Sequence, residues 1–372
     1  LVFAALRVHL RASRSTEFAE AFMRAVVIHA EKDLRVEQQQ AERPGPGQVL
    51  IQVERGGICG SDLHYFNHGG FGTVRLREPM ILGHEVAGRI IELGTSVAGL
   101  ATGDLVAVSP SRPCGHCRYC LEGKTNHCLN MRFYGSAMPF PHIQGAFREQ
   151  LVADASQCVI ANGLSAGEAA CAEPLSVCLH ATRQAGEMLG KRVLVTGSGP
   201  IGVLTIAAAR RAGAAEIVAT DMADFPLEHA KTAGADLTIA PSPGSSTTAT
   251  VAAGKPATYG LQLTPVAGAS GTYTLSCTGA PTGATCTPSV ASINLSGTTP
   301  VPVTVTVTTT ARTSGAPPLG DPAPGQPWQM FLLLAGLGLL ALALAIVWRG
   351  PRRAARWLTE NRSAGNKHGA AP

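Results

Sequence analysis

The sequence has no collagen-like glycine period and no composition typical of a disordered chain. Its 42 Gly and 25 Pro show no three-residue repeat, which excludes a collagen triple helix. The hydrophobic share of 45% is too high for an intrinsically disordered protein. A length of 372 residues is enough for two or three folded domains.

Excess charge is absent from most of the chain. Residues 349–372 contain six Lys or Arg and one Glu, so this tail accounts for the whole net charge of +5. The residues before it give no reason to expect a nucleic-acid-binding face. Residues 1–22 have no basic stretch ahead of their apolar run LVFAAL, unlike a secretory signal. We interpret them as an N-terminal extension before Met23, with a helical packing arm as the alternative.

The composition changes near Ala240. From Met23 to Ala240, mixed charge, apolar strands and regularly placed glycines are typical of a globular α/β protein. Charged residues then become scarce, and runs such as VPVTVTVTT (301–309) alternate as strands do. We therefore predict a small Ig-like β-sandwich over residues 241–313.

An uncharged apolar run of 21 residues, 328–348, follows a Pro/Gly linker at 314–327. As a helix it would be about 32 Å long, which is enough to cross a bilayer, and it carries Trp at both ends. We predict a transmembrane helix, with a buried core helix as the alternative. The basic tail would then lie in the cytoplasm and the β-sandwich outside. This orientation conflicts with the missing export signal.

The ten cysteines fall into groups with different chemistry. Cys277 and Cys286 flank a turn-rich stretch that suits a local disulfide, with two free thiols as the alternative. Four others lie within fifteen residues, at Cys114, Cys117, Cys120 and Cys128. Four thiolates at this spacing can bind one tetrahedral Zn²⁺ as a closed structural site, and four packed free cysteines are the alternative. His116 and His127 could substitute as ligands but are not needed.

A second set of metal ligands is indicated by the segments GGICGSDLH and GHE. Cys59 and His84 are a soft and a borderline zinc ligand, and Glu85 or Glu173 can supply oxygen. A catalytic zinc keeps a position open for substrate, so it needs fewer protein ligands. The Cys and His alone are weak evidence, but the nearby four-cysteine group strengthens the prediction.

The segment VLVTGSGPIG has the glycine spacing of a dinucleotide-binding turn. Gly197, Gly199 and Gly202 follow a predicted strand and open an apolar helix, so a pyrophosphate can lie on the helix N-terminus. Asp221 ends the next predicted strand, where an acid binds ribose hydroxyls and repels a 2′-phosphate. The pattern predicts NAD rather than NADP, and an aspartate that only caps a turn is the alternative.

Residues 23–240 resemble the zinc-dependent medium-chain alcohol/polyol dehydrogenase family. The resemblance rests on GGICGSDLHYF, ILGHEVAG, the four-cysteine segment, AEPLSVCLHA and VLVTGSGPIG. Within the family, YFNHGGFGTVRLREPM, SPSRPCGHCRYC and NMRFYGSAM are most similar to the L-idonate 5-dehydrogenase subfamily. The family implies an α/β fold, with a GroES-like zinc-binding domain at 23–180 and a truncated Rossmann NAD-binding domain at 181–240.

The resemblance also implies roles for residues around the catalytic zinc. Cys59, His84 and Glu85 would bind the metal, and Glu173 would approach it or bind substrate through it. Asp62 would orient His84, with a buried structural acid as the alternative.

A proton relay is implied as well. Ser61 would take the substrate proton and His64 would pass it to solvent. A turn serine and a surface histidine are the alternative, while His68 and His142 receive no role. The expected cofactors are two Zn²⁺, one catalytic and one structural, and NAD. The expected substrate is a polyol or aldonate, and the dehydrogenase part is expected to be a cytoplasmic homo-oligomer.

The resemblance ends near Ala240, where the family continues with further nucleotide-fold strands. We therefore expect an exposed apolar sheet edge and little or no dehydrogenase activity. The favoured hypothesis is a dehydrogenase fragment joined artificially to the tail of a surface protein. The alternatives are a membrane-anchored dehydrogenase and a surface-anchored binding protein that carries a dehydrogenase relic.

Overall fold

The computed structural model describes residues 22–266 and 268–311. The predicted N-terminal extension (residues 1–21 of it), linker (314–327), transmembrane helix (328–348) and basic tail (349–372) lie outside the described residues. Within the described ranges, no helix is long and apolar enough to cross a membrane.

The first part of the chain is built from antiparallel strands. Its strands are β1 (Phe22–Ala30), β2 (Asp33–Gln40), β3 (Gln48–Gly57), β4 (Gly70–Phe71), β5 (Val74–Arg75), β6 (Met80–Ile81), β7 (Glu85–Leu93), β8 (Leu105–Val108), β9 (Ser111–Arg112), β10 (Arg132–Phe133), β11 (Gln150–Asp154) and β12 (Cys158–Ile160). Five of them form a sheet in the order β11-β3-β7-β8-β12, and β2-β1-β6 form another. Alternate residues of β3 and β7, including Val49, Ile51 and Ile90, point into a core with Leu151.

Short helices connect and follow these strands. They are α1 (Gly60–His68), α2 (Arg118–Leu121), α3 (Ala166–Ala170) and α4 (Ala172–Ala185), with 3₁₀ turns at Thr125–His127 and Ala155–Gln157. α1 follows β3 almost directly, and Cys59 is the residue that caps its start. Gly69 ends α1 with a φ of 62°, a left-handed conformation that glycine adopts without strain.

The dinucleotide-type half alternates strands and helices, as the sequence predicts. Its elements are β13 (Arg192–Thr196), α5 (Pro200–Arg211), β14 (Glu216–Thr220), α6 (Asp224–Ala233) and β15 (Leu237–Pro241). The three strands are parallel, with Val193 opposite Ile217 and Ala219 opposite Thr238. Apolar residues from the strands and both helices form one core, which includes Ile206, Ile217 and Leu227.

The predicted strands after Ala240 are present, but an independent Ig-like sandwich is not supported. They are β16 (Pro256–Pro265), β17 (Gly271–Thr274), β18 (Ala284–Pro288), β19 (Ser292–Leu295) and β20 (Val301–Thr309). β16 pairs antiparallel with β15, which gives one six-stranded sheet in the order β13-β14-β15-β16-β20-β18. β17 and β19 form a separate two-stranded sheet. The physical reason is that β15 offers unpaired backbone groups along its edge, which β16 can satisfy.

The two kinds of strand share a core, in which Leu237 of β15 packs with Leu263, Leu295 and Val303. The expected exposed edge is therefore covered on the β15 side. In the described part of the sheet β13 pairs only with β14, and its Leu194 is 62% exposed.

Cys277 and Cys286 form a disulfide, which confirms that prediction. Residues 22–250 and 257–307 belong to one compact unit, whereas 251–256 and 308–311 belong to a second one. Within this second unit the Gly254 amide donates to Thr309 Oγ1 at 2.9 Å.

Candidate metal and dinucleotide site

Asp62 holds the ends of two chain segments that carry predicted metal ligands. Its carboxylate accepts hydrogen bonds from the Cys59 amide at 3.0 Å and from the Gly83 amide at 3.1 Å. The side chain is only 3% exposed. Cys59 at the start of α1 and His84 just before β7 are therefore brought together by one buried acid.

His84 is buried, and its Nδ1 atom has no hydrogen-bond partner among the described residues. Nδ1 lies 4.0 Å from Asp62 Oδ1, which is close enough for attraction but too long for a hydrogen bond. The Phe133 ring packs against the imidazole with 5.3 Å between ring centroids. Burial and the contact with Phe133 therefore restrict the His84 imidazole to the orientation that the structure shows.

Ligand atoms of Cys59, His84 and Glu85 all lie within 4.8 Å of one another. Glu85 starts β7 directly opposite Gly57 of β3. A Cβ atom on Gly57 would lie 2.1 Å from Glu85 Oε2, so only glycine leaves room for this carboxylate. The sequence interpretation gave Gly57 no role, because cross-strand register is not visible in the sequence.

The ionisation of this cluster is shifted by burial and by the contacts among its members. Burial raises the pKa of Asp62, Glu85 and Glu173 above their usual values, despite the attraction of His84. Burial alone would lower the pKa of His84, but its hydrogen bond with Cys59 and the charge of Asp62 raise it to about 9. The same hydrogen bond lowers the pKa of the Cys59 thiol. A soft thiolate, an imidazole and a carboxylate in a buried acidic pocket fit a zinc ion.

The predicted relay residues lie on α1. Ser61 is half-buried and hydrogen bonds with the Cys59 thiol. His64 is exposed, and its ring contacts the rings of His68 and Phe71. One of the pair thus contacts a ligand and the other faces solvent, and the relay itself stays a prediction.

The four cysteines predicted to bind structural zinc also come together. Ligand atoms of Cys114, Cys117, Cys120 and Cys128 lie within 4.8 Å of one another. A backbone hydrogen bond from His116 lowers the pKa of Cys114 to about 6, whereas desolvation raises that of Cys120 to about 12. Four thiolates this close repel one another, so a divalent cation is needed to keep all of them ionised. The sulfur set fits tetrahedral zinc.

The glycine-rich turn has the backbone that the sequence predicts. Gly197 has a φ of 82°, and a Cβ on Gly202 would lie 1.9 Å from the Gly197 carbonyl oxygen. A Cβ on Gly199 would meet nothing within 4 Å, so the space beside the turn is free of protein atoms. Gly199 precedes α5, whose first turn has no side-chain cap. The backbone amides at the N-terminus of α5 are therefore available to bind a pyrophosphate.

Asp221 supports the turn in this structure. Its Oδ2 atom accepts from the Ser198 amide at 2.7 Å, and its Oδ1 atom accepts from the Ala223 amide at 3.0 Å. The alternative role as a turn-capping residue therefore has direct support, and ribose binding stays a prediction. Each carboxylate oxygen can accept more than one hydrogen bond, so the two roles are compatible.

One cavity of about 880 Å³ joins the two sites. Cys59 and Glu85 line it at one place, and Gly197, Gly199 and Gly202 line it at another. Most of its remaining wall is apolar, with Leu194, Ile201 and other side chains from β13, α4 and α5. This volume is typical of a small-molecule or cofactor site.

The family model of the alcohol dehydrogenase GroES-like domain matches residues 45–163. L-idonate 5-dehydrogenase (NAD(P)(+)) of Escherichia coli (strain K12) is 45% identical over 216 residues, which cover 58% of this chain and 62% of that protein. The match of this chain to the crystal structure of that protein has a TM-score of 0.56 at 43% identity. It covers 61% of this chain and 65% of that chain. Sorbitol dehydrogenase of Gallus gallus is 40% identical over 216 residues, covering 58% of this chain and 60% of that protein.

The structure of a “putative zinc-binding dehydrogenase” from Sinorhizobium meliloti 1021, bound to NADP, has a TM-score of 0.54 at 32% identity. The match covers 60% of this chain and 63% of that one. The chain thus spans less than two thirds of the length of the curated relatives it matches.

Proposed function

We propose that this chain, whose matched residues belong to the zinc-type medium-chain dehydrogenase family, forms a site for NAD-dependent oxidation of a secondary alcohol in a polyol or sugar acid. One observation carries the proposal. Cys59 and Glu85 of the Cys–His–Glu cluster line the same cavity as the glycine-rich turn. The identity with L-idonate 5-dehydrogenase and sorbitol dehydrogenases supports this substrate class.

When bound, zinc would polarise the substrate oxygen and NAD would accept the hydride. Cys59, His84 and Glu85 would hold the metal, and Glu173, whose charge acts on His84, would approach it. Asp62 would orient His84, whose Nδ1 atom lies 4.0 Å from its carboxylate. The same carboxylate accepts hydrogen bonds from the amides of Cys59 and Gly83. The four cysteines from Cys114 to Cys128 would bind the second zinc.

The proton would leave along α1. Ser61 would accept it from the substrate hydroxyl, and the exposed His64 would release it to water. The apolar wall formed by β13, α4 and α5 would exclude water from the reacting carbon. Asp221 would accept the ribose hydroxyls and favour NAD over NADP. A homo-oligomer and a cytoplasmic location stay predictions.

The test uses the full 372-residue chain. We expect two zinc ions per chain by elemental analysis, and one in either Cys59→Ser or Cys114→Ser. Cys158→Ala is the matched control, since this half-buried thiol lies outside both clusters. NADH binding is measured by fluorescence, and hydride transfer by absorbance with L-idonate and sorbitol.

The outcomes separate the site from the activity. Two zinc ions, NADH binding and turnover that Cys59→Ser abolishes would support the whole proposal. Two zinc ions and NADH binding without turnover would contradict the proposed alcohol oxidation but not the two binding sites. That result would agree with the expectation, from the sequence, that the chain has little or no dehydrogenase activity. Fewer than two zinc ions, or a loss in Cys158→Ala as well, would contradict the metal assignment.

A further inference from the structure

The exposed face of α1 carries two histidines one helical turn apart. His64 and His68 have the i, i+4 spacing that places side chains side by side. Their ring centroids are 6.0 Å apart, with 39° between the ring planes. Both side chains are exposed. The sequence interpretation gave His64 a part in the proton relay and gave His68 no role.

This separation is within reach of one shared metal ion. Two imidazoles whose nitrogens each lie about 2.1 Å from a metal have ring centroids no more than about 6.4 Å apart. That limit applies to nitrogens on opposite sides of the ion, and at cis or tetrahedral angles the centroids lie about 4.5–5.2 Å apart. The two rings, now 6.0 Å apart, must therefore turn toward each other to share one ion. Imidazole is a preferred ligand of Ni²⁺, Cu²⁺ and Zn²⁺.

The C-terminal end of α1 favours a cation bound at His64 and His68. α1 ends at His68, and the Gly69 amide donates to the carbonyl groups of His64 and Tyr65. The C-terminus of a helix carries partial negative charge and stabilises cations. The Phe71 ring also contacts the His64 ring, with 5.9 Å between ring centroids.

We propose that His64 and His68 form a third metal site, for a divalent transition-metal ion such as Ni²⁺ or Cu²⁺, completed by water. While the ion is bound, the ring nitrogen of His64 donates its lone pair to the metal and cannot take a proton. The site would then inhibit proton release, a consequence that rests on the proposed function. The binding itself does not depend on that function.

The first test is calorimetric titration of the zinc-loaded full chain with Ni²⁺ near neutral pH. We expect one Ni²⁺ site that His68→Gln weakens at least about tenfold. His180→Gln is the matched control, because His180 is a single exposed histidine on α4, and we expect it to leave binding unchanged. Equal affinity in the wild type and His68→Gln, or equal loss in His180→Gln, would overturn the proposal.

The second test measures how reactive the ring nitrogen of His64 is, and it does not depend on enzymatic turnover. Diethyl pyrocarbonate labels free imidazoles, and mass spectrometry assigns the label to each histidine. We expect saturating Ni²⁺ to suppress labelling of His64 and His68 but not of His180, and to leave His64 reactive in His68→Gln. Full labelling of His64 at saturating Ni²⁺ would overturn the proposal. A chain without dehydrogenase activity would leave both results standing, so the two proposals fail separately.

Discussion

Gly57 leaves the space that the Glu85 carboxylate occupies. We expect Gly57→Ala to displace this carboxylate, because the added methyl carbon would lie 2.1 Å from Oε2. Loss of a group that supports a ligand typically weakens metal binding about 10- to 100-fold. Competition with a zinc chelator measures this change at the Cys59 site.

Gly167→Ala is the control for this substitution. Its added methyl carbon has its nearest neighbour 3.9 Å away, and the residue lies in a helix. Zinc affinity that is the same in Gly57→Ala and Gly167→Ala would show that Glu85 is not held as a ligand by this contact.

The proximity of the four cysteines from Cys114 to Cys128 was predictable because its signal is local. Cys114, Cys117 and Cys120 are close in sequence, so their convergence follows from the spacing itself. The contact of Gly57 with Glu85 depends on the register of β3 against β7, which has no local signal. The bonds of Asp221 to Ser198 and Ala223 likewise require a folded turn before they can be recognised.

At the scale of elements, Arg24 connects β1 to the residue that precedes β11. The Arg24 amide donates to Glu149 Oε2 at 2.8 Å, and its guanidinium donates to Oε1 at 2.9 Å. Burial alone would raise the pKa of Glu149, but these bonds and the charge of Arg24 lower it. The ionised acid therefore stabilises the packing of β1 beside the five-stranded sheet.

This pair predicts a pH dependence of stability. Because the pKa is lower in the folded state, the contribution is complete above the unfolded value of about 4.3 and is lost as pH falls through the folded value. We expect Glu149→Gln to reduce the free energy of unfolding by about 1 kcal/mol near neutral pH. The difference from wild type should shrink in acid, which urea unfolding at several pH values measures.

Glu92→Gln provides the comparison, since the Glu92 carboxylate is 40% exposed and pairs with Arg43, which is 80% exposed. We expect a smaller change near neutral pH for this exposed pair. An equal loss in both variants, or a Glu149→Gln difference that grows in acid, would contradict the assignment.

At the scale of the whole described molecule, the six-stranded sheet combines strands from before and after Ala240, which differ in composition. Leu263 of β16 is 4% exposed and packs with Leu237 of β15. We expect Leu263→Ala to cost about 2–5 kcal/mol of the free energy of unfolding. Because the core is shared, hydrogen exchange should also become faster at β14 and β15.

Val290→Ala is the control, since Val290 is 42% exposed outside the strands. We expect its effect to stay within about 0.5 kcal/mol. Faster exchange confined to β16–β20 in Leu263→Ala would mean that this segment folds independently, as the sequence interpretation expected. The joining of β16 to β15 was not predictable, because edge pairing uses backbone groups that every sequence has.

The same pairing has a consequence for synthesis on the ribosome. The edge of β15 is complete once Pro241 has been added, but its partner strand ends only at Pro265. At usual elongation rates the chain needs about 1 to 5 s to make these residues. A chain whose synthesis stops within this stretch lacks β16, so the open edge of its β15 is available to pair with another chain.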